Sequence, residues 1–225
     1  MDNKKKFAAI CIGVLILAAS VGTTLAYLGA KKYADNKIKV GTDIAQVSET
    51  FTEPSIQQQD NETTKEIKVK NTGSVPCFVR VYAEFSDSEI AGIAKVSNDD
   101  TNMYTAWNTF KSDKDIITHT SLTDDWVYIP ESSGPSGLGG YFYYTKAVPV
   151  DDTTTNVDES VTSSLIKKVQ VNYATIDEIR DYEMIVYTET VQTVDTDGTD
   201  YAAQGVTDGW KKAWERFLKK TTPTP

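Results

Sequence analysis

Histidine, cysteine and positive charge are scarce in this chain of 225 residues, and each scarcity excludes a class of function. The sequence has one histidine, His119, and lacks the H-E-x-x-H pattern that gives a zinc peptidase its ligands and general base. It also lacks G-x-S-x-G, the turn that carries the nucleophilic serine of many hydrolases. The numerous acidic residues could supply the paired carboxylates of a glycosidase, but nothing in the sequence singles out one pair. We therefore predict that the protein is not an enzyme.

The cysteines predict no disulfide. Cys11 lies in an apolar N-terminal stretch, and Cys77 would be alone if that stretch were removed. Acidic residues outnumber basic ones by 32 to 23, for a formal net charge of −9. An acidic surface repels nucleic acid and anionic membranes, so we expect neither as a partner, with membrane contact only through an uncleaved leader.

The N-terminus has the three parts of a secretory signal. Lys4–Lys6 form a basic region, the 19 residues Phe7–Leu25 are uncharged and mostly apolar, and small residues follow, ending at Ala26. We predict a signal peptide over residues 1–26, cleaved before Tyr27, and a secreted, extracellular or cell-surface protein. An uncharged stretch of that length could also just span a bilayer, so a retained anchor is the alternative.

Period-two alternation dominates residues 41–220, which we predict to form one β-rich domain. The clearest run is 77–85, where the two faces differ: Cys77, Val79, Val81, Ala83 and Phe85 against Phe78, Arg80, Tyr82 and Glu84. Short runs with turn signals between them predict a β-sandwich with helical insertions. The run 182–192 is apolar on both faces, which predicts a central strand.

Two helices are predicted as well. Met103, Trp107 and Phe110 have helical spacing, with Asp99 or Asp100 as N-cap. Near the C-terminus, one face of an amphipathic helix is lined by Trp210, Ala213, Trp214, Phe217 and Leu218. Residues 221–225 are predicted to be a tail.

One acidic turn has the spacing of a cation site. Asp195, Asp197 and Asp200 stand at positions 1, 3 and 6 of a loop in which Gly198 permits a tight turn. An EF-hand would also need Glu at position 12, where this chain has Val206. We expect no cofactor, with calcium at these three aspartates as the only candidate and a plain acidic turn as the alternative.

Several segments, in a constant order, resemble the TasA/camelysin family of exported proteins with SipW-type signal peptides. The segments are 21–27 (VGTTLAY), 69–81 (VKNTGSVPCFVRV), 139–146 (GGYFYYTK), 162–169 (TSSLIKKV) and 189–192 (ETVQ), followed by Ala202, Ala203 and Trp210. The chain departs from the family pattern in a long insertion around 86–125, in residues 29–32 and in basic residues after Trp210.

The resemblance implies a jelly-roll-like antiparallel β-sandwich released by a SipW-type signal peptidase from a Gram-positive cell. It further implies a structural protein of the extracellular or biofilm matrix. Its partner would be itself, as a homopolymer, or a related matrix protein, and the N-terminal segment of one subunit would complete the sheet of the next. The donor strand would lie in residues 27–40, with Tyr27, Leu28, Tyr33, Ile38 and Val40 as its residues of interest.

Two alternatives remain. One is a monomeric surface adhesin or binding domain. The other is a camelysin-like extracellular metallopeptidase, which the lack of a zinc motif disfavours.

Overall fold

A computed structural model of the chain describes residues 45–51, 61–99, 101, 103–119, 124–132, 137–151, 159–203 and 208–221, with the backbone alone for 45–51, 61, 220 and 221. The predicted leader 1–26, its cleavage position at Ala26 and Tyr27, and the predicted donor segment 27–40 lie outside the described residues. The described elements belong to one compact unit that begins at Gly41.

The described part of the chain is mainly β. Its strands are β1 (Ala45–Phe51), β2 (Asn61–Asn71), β3 (Cys77–Phe85), β4 (Ala94–Ser97), β5 (Thr105–Ala106), β6 (Trp126–Ile129), β7 (Tyr141–Tyr144), β8 (Ile166–Val171) and β9 (Met184–Gln192). Its helices are α1 (Ser88–Ile93), α2 (Trp107–Asp113) and α3 (Gly209–Thr221), with a 3-10 turn at Ile176–Glu178. Among the described residues, no helix has the length and apolar character needed to cross a membrane.

The strands form two antiparallel sheets. The first sheet has the order β1-β2-β8-β4-β5 and the second has the order β6-β7-β3-β9. The chain crosses repeatedly between the two sheets: β2 lies in the first sheet, β3 in the second and β4 in the first again. The predicted class, a jelly-roll-like antiparallel β-sandwich with short helical insertions, is confirmed.

The core between the sheets is built by the alternation seen in the sequence. Ile67 and Val69 of β2 and Val79 and Val81 of β3 are all fully buried in it. Trp107 of α2 joins the same cluster at 0% exposure. Burying one such large aromatic side chain is worth roughly 5 kcal/mol at ~25 cal/mol per Å².

Two tryptophan side chains of this core have hydrogen-bond partners for their indole N–H groups. The indole N–H of Trp107 donates to Glu84 Oε1 at 2.6 Å. That of Trp126 donates to the carbonyl oxygen of Ser163 at 2.9 Å. Because a buried indole N–H without a partner is costly, these two bonds let bulky aromatic groups fill the sandwich.

Two predictions about elements are wrong. The run predicted as a central strand is β9, which is the last strand of its sheet. The helix predicted from Met103 begins only at Trp107, and Met103 is 76% exposed ahead of it. The C-terminal helix α3 is confirmed, and it extends to Thr221, the first residue of the predicted tail.

The turn between β2 and β3 depends on one buried side chain. The amide nitrogen of Asn71 donates to the carbonyl oxygens of Val75 at 2.9 Å, Val148 at 3.0 Å and Pro149 at 3.1 Å. Its Oδ1 accepts the N–H of Gly73 at 2.9 Å. One asparagine therefore closes the turn and also ties it to the segment after β7.

We predict that Asn71→Ala lowers the free energy of unfolding by about 2–3 kcal/mol, because it leaves buried carbonyl groups without donors. Urea unfolding followed by circular dichroism measures this. Ser74→Ala is the matched control, since Ser74 is an exposed residue of the same turn, and we expect it to change stability by less than about 0.5 kcal/mol. Equal effects of the two substitutions would contradict this role of Asn71.

Candidate functional site

The outer face of the second sheet, which is the face turned away from the sandwich core, is partly covered by α3. Trp210 and Trp214 of α3 are 3% and 0% exposed, as the predicted stripe requires. The ring centre of Tyr143 in β7 lies 5.0 Å from that of Trp210 and 6.1 Å from that of Trp214. The helix therefore packs on the sheet through an aromatic contact.

The first residue of α3 permits a close approach. Gly209 is buried, and a Cβ atom at this position would collide with the carbonyl oxygen of Tyr201. The absence of a side chain lets the helix begin directly against the preceding backbone, near the ring of Phe78. A larger residue here would displace the helix from the sheet.

A buried arginine joins α3 to the sheet. Arg80 of β3 is only 4% exposed. The carbon at the centre of its guanidinium group lies 4.0 Å from the ring centre of Tyr141 and 4.4 Å from that of Trp214. Both distances are within the range of cation–π attraction, which strengthens when the cation is shielded from water.

Hydrogen bonds complete the environment of Arg80. Its Nε donates to Glu189 Oε2 of β9 at 2.6 Å, and a second guanidinium nitrogen contacts the same carboxylate oxygen. Another nitrogen donates to the carbonyl oxygen of Gly137 at 2.8 Å and to Tyr143 Oη at 3.3 Å. The guanidinium charge is thus neutralised by Glu189 and bonded in several directions, as a buried cation requires.

Beyond α3, the outer face carries three neighbouring tyrosines, here called the tyrosine row: Tyr82 of β3, Tyr141 of β7 and Tyr187 of β9. The rings of Tyr82 and Tyr187 are stacked, with centres 4.7 Å apart and planes 14° apart. Tyr141 meets both rings edge-on at 6.1 Å. Burial is the main cause that raises the pKa of Tyr82 and that of Tyr141 above the ordinary value.

In the described part of the chain, the backbone of β9 pairs with another strand, β3, on one side only. The bonds Ser86 N–H to Glu183 O at 2.8 Å and Thr193 N–H to Pro76 O at 3.2 Å bracket the β3–β9 pair. Because antiparallel bonding alternates along a strand, the odd-numbered residues of β9 bond to β3. The N–H and C=O groups of Val186, Thr188 and Thr190 therefore point to the open edge, and no strand in the described part of the chain pairs with them.

Apolar side chains are also incompletely covered along this edge. Met184 and Val186 reach the core from β9 but are only half-buried. On the outer face, Ile185 is 47% exposed and Tyr187 is 42% exposed. The backbone of β1, the edge strand of the first sheet, lies beside β9 on the same flank. The open edge of β9 together with the tyrosine row is the candidate functional site.

The carboxylates of the acidic turn proposed for calcium are hydrogen-bonded to other groups of the protein. Asp195 Oδ2 accepts from Arg216 at 2.9 Å. Asp197 Oδ1 accepts the backbone N–H of Thr199 at 2.9 Å, and hydrogen bonds from Thr199 lower the pKa of Asp197. Asp200 Oδ1 accepts backbone N–H groups two and three residues further on. Among the described residues, no group of three or more His, Cys, Asp or Glu side chains could hold a metal ion. Calcium binding stays a prediction.

Neither His119 nor Cys77 belongs to this site. His119 is an exposed loop residue whose Nδ1 lies 3.0 Å from Thr118 Oγ1. Cys77 is 6% exposed in the core, as predicted, and burial raises its pKa to about 12. A thiol with so high a pKa is a poor nucleophile.

Sequence reasoning found the elements of this site but missed how they join. The period-two alternation of residues 77–85 predicts Arg80 and Tyr82 on the non-core face of their strand. The burial of Arg80 and the open edge of β9 were not predicted. One signal was available: the tryptophan stripe of α3 needs an aromatic sheet face, which the residues around Tyr143 provide.

No protein-family model, curated protein or solved structure matches this chain. The resemblance to the TasA/camelysin family therefore stays a prediction that rests on the sequence segments given above.

We predict that Arg80→Met lowers the free energy of unfolding by about 3 kcal/mol, because Glu189 and the surrounding acceptors lose their donor. Loosening of α3 should also shift tryptophan emission to longer wavelength, since Trp210 and Trp214 are buried beneath it. Lys146→Met is the control: Lys146 is 64% exposed in a 2.7 Å ion pair with Asp125, and such pairs contribute about 0–1 kcal/mol. Unchanged emission from Arg80→Met would contradict the proposed role of Arg80.

Alkaline pH should destabilise the fold. Burial, and then the carboxylates of Glu84 and Glu131, raise the pKa of Tyr128 to about 12, and burial does the same for Cys77. In the unfolded chain, thiols titrate at about 8.5 and phenols at about 10. The stabilisation that the two protonated groups contribute to the fold is therefore complete below those values and is lost as the pH rises towards 12. The urea midpoint should fall over this range, and less steeply in Tyr128→Phe. A midpoint independent of pH would refute the prediction.

Proposed function

We propose that this protein is a secreted structural component of an extracellular or biofilm matrix, which assembles into fibres by strand addition between copies. Residues 27–40 of one copy would add to β9 of the next. The open edge of β9 carries the proposal: the outward N–H and C=O groups of Val186, Thr188 and Thr190 need partners, and an extended segment supplies them. The choice of residues 27–40 as the added segment follows from the sequence resemblance.

Charge favours this pairing. Residues 27–40 contain four lysines and one aspartate, a net charge of +3. Residues 41–225 contain 16 basic and 30 acidic residues, a net charge of −14. A cationic segment on an otherwise acidic chain is attracted to other copies, whereas domains without it repel one another.

The side-chain pattern of the segment also suits the edge. Leu28, Ile38 and Val40 share one parity in residues 27–40, so in an extended strand they lie on one face. Turned towards the sandwich, that face would cover the half-buried Met184 and Val186 of the acceptor. The added strand would thus gain apolar burial as well as backbone hydrogen bonds.

Cleavage of the leader would control the timing of assembly. While residues 1–26 remain attached, their apolar stretch holds the segment at the membrane, and removal by a SipW-type signal peptidase frees it.

A monomeric surface adhesin is the second candidate function. The tyrosine row favours it, because tyrosine is enriched at protein interfaces.

Electron microscopy of purified protein tests the proposal. We expect fibres from a chain that begins at Tyr27 and none from one that begins at Gly41. Thr190→Pro in the longer chain should also prevent fibres, because it removes an outward N–H that β3 does not use. Thr190→Val keeps that N–H and should form fibres normally. A folded, monomeric longer chain would overturn the fibre proposal and favour the adhesin.

A further inference from the structure

One face of the Tyr187 ring is covered by a neighbouring ring, while the residue as a whole is 42% exposed. The stacked ring of Tyr82, with its centre 4.7 Å away, covers the face that is turned towards β3. Tyr141 approaches edge-on, and its hydroxyl oxygen lies 3.4 Å from that of Tyr187. Within the described residues these are the ring contacts that Tyr187 makes. Because Tyr82 lies on the neighbouring strand, the other ring face points past β9, to the side where a further strand would lie.

The hydrogen-bond pattern brings the next side chain close to that face. Tyr187 is an odd-numbered residue of β9, so its own N–H and C=O are used by β3. Towards an added antiparallel strand, Tyr187 would therefore occupy a non-hydrogen-bonded position. Cα atoms at such positions are only about 4.5 Å apart, and their side chains contact each other most closely.

The segment proposed to bind there presents suitable side chains in five of the seven registers that keep its Ile38 and Val40 on the core face. When its Ile38 and Val40 face the sandwich, the odd-numbered residues of 27–40 lie on the outer face, as Tyr187 does. Five of these seven residues are aromatic or cationic: Tyr27, Lys31, Tyr33, Lys37 and Lys39. Shifts of the strand by two residues therefore mostly keep a tyrosine or a lysine opposite Tyr187.

We propose that the ring face of Tyr187 turned away from Tyr82 receives an aromatic or cationic side chain from residues 27–40 of a second copy. The incoming side chain extends the tyrosine row by one strand, through ring stacking or cation–π attraction. The half-exposed Ile185 beside it lies along the stem of a lysine or the edge of a ring. Tyr187 is thus a residue that selects this segment among extended strands. The inference rests on the strand addition proposed above.

Sedimentation velocity of the chain that begins at Tyr27, over a range of concentrations, tests it. We expect Tyr187→Ala to weaken self-association about fivefold or more, since a stacking or cation–π contact is lost. Tyr187→Phe keeps the ring and should associate as the unchanged chain does. Tyr187→Leu keeps the apolar bulk without the ring and should be weakened as Tyr187→Ala is. Met103→Ala, at an exposed residue next to the edge strand β5, should have no effect.

The Thr190→Pro variant separates the two ways in which this can fail. If Thr190→Pro abolishes association while Tyr187→Ala and Tyr187→Leu associate normally, strand addition stands and the role of Tyr187 is overturned. If the unchanged chain is monomeric at all concentrations, or Thr190→Pro associates as well as Thr190→Val, strand addition at β9 is overturned, and the role of Tyr187 with it. Unfolding midpoints of each variant confirm that the sandwich is intact.

Discussion

The buried guanidinium group of Arg80 is the interaction on which the outer layer of the second sheet depends. Removing a cation from water costs several kcal/mol unless it is paired and fully hydrogen-bonded. Here the partners come from separate parts of the chain. Glu189 lies in β9 and Tyr141 in β7. The carbonyl group of Gly137 belongs to the loop before β7, and the indole of Trp214 belongs to α3. Their positions are coupled because all of them meet at one side chain in the middle of β3.

This arrangement divides the outer face into a closed part and an open part. Around Arg80, the helix α3 excludes water through Trp210 and Trp214, and Val191 at that end of β9 is only 7% exposed. Further along β9, Ile185 and Tyr187 remain nearly half-exposed. Tyr141 lies against the guanidinium group of Arg80 and meets the stacked rings of Tyr82 and Tyr187 edge-on. The tyrosine row is therefore a preorganised surface that loses little entropy on binding.

What could be predicted from the sequence is the local pattern. The alternation through Val79 and Val81 and the stripe through Trp214 predicted a half-buried strand and an amphipathic helix, and both are confirmed. The edge position of β9 could not be predicted, because the number of neighbouring strands depends on long-range pairing. Its second apolar face carries Tyr187 stacked on Tyr82, not a buried sheet surface. The partner of Arg80 is 109 residues away, which no local pattern reveals.

The composition of β9 argues that its edge is used. Natural sheets protect edge strands with lysine, proline or bulges, because an unpaired edge invites other chains. The strand MIVYTETVQ has no lysine or proline, and its register with β3 runs unbroken from Met184 to Gln192. Its one charged residue, Glu189, is bound to Arg80 and so leaves no free charge to repel an incoming strand. Such an edge would promote uncontrolled aggregation if nothing occupied it, whereas in the proposed assembly residues 27–40 of a second copy cover it.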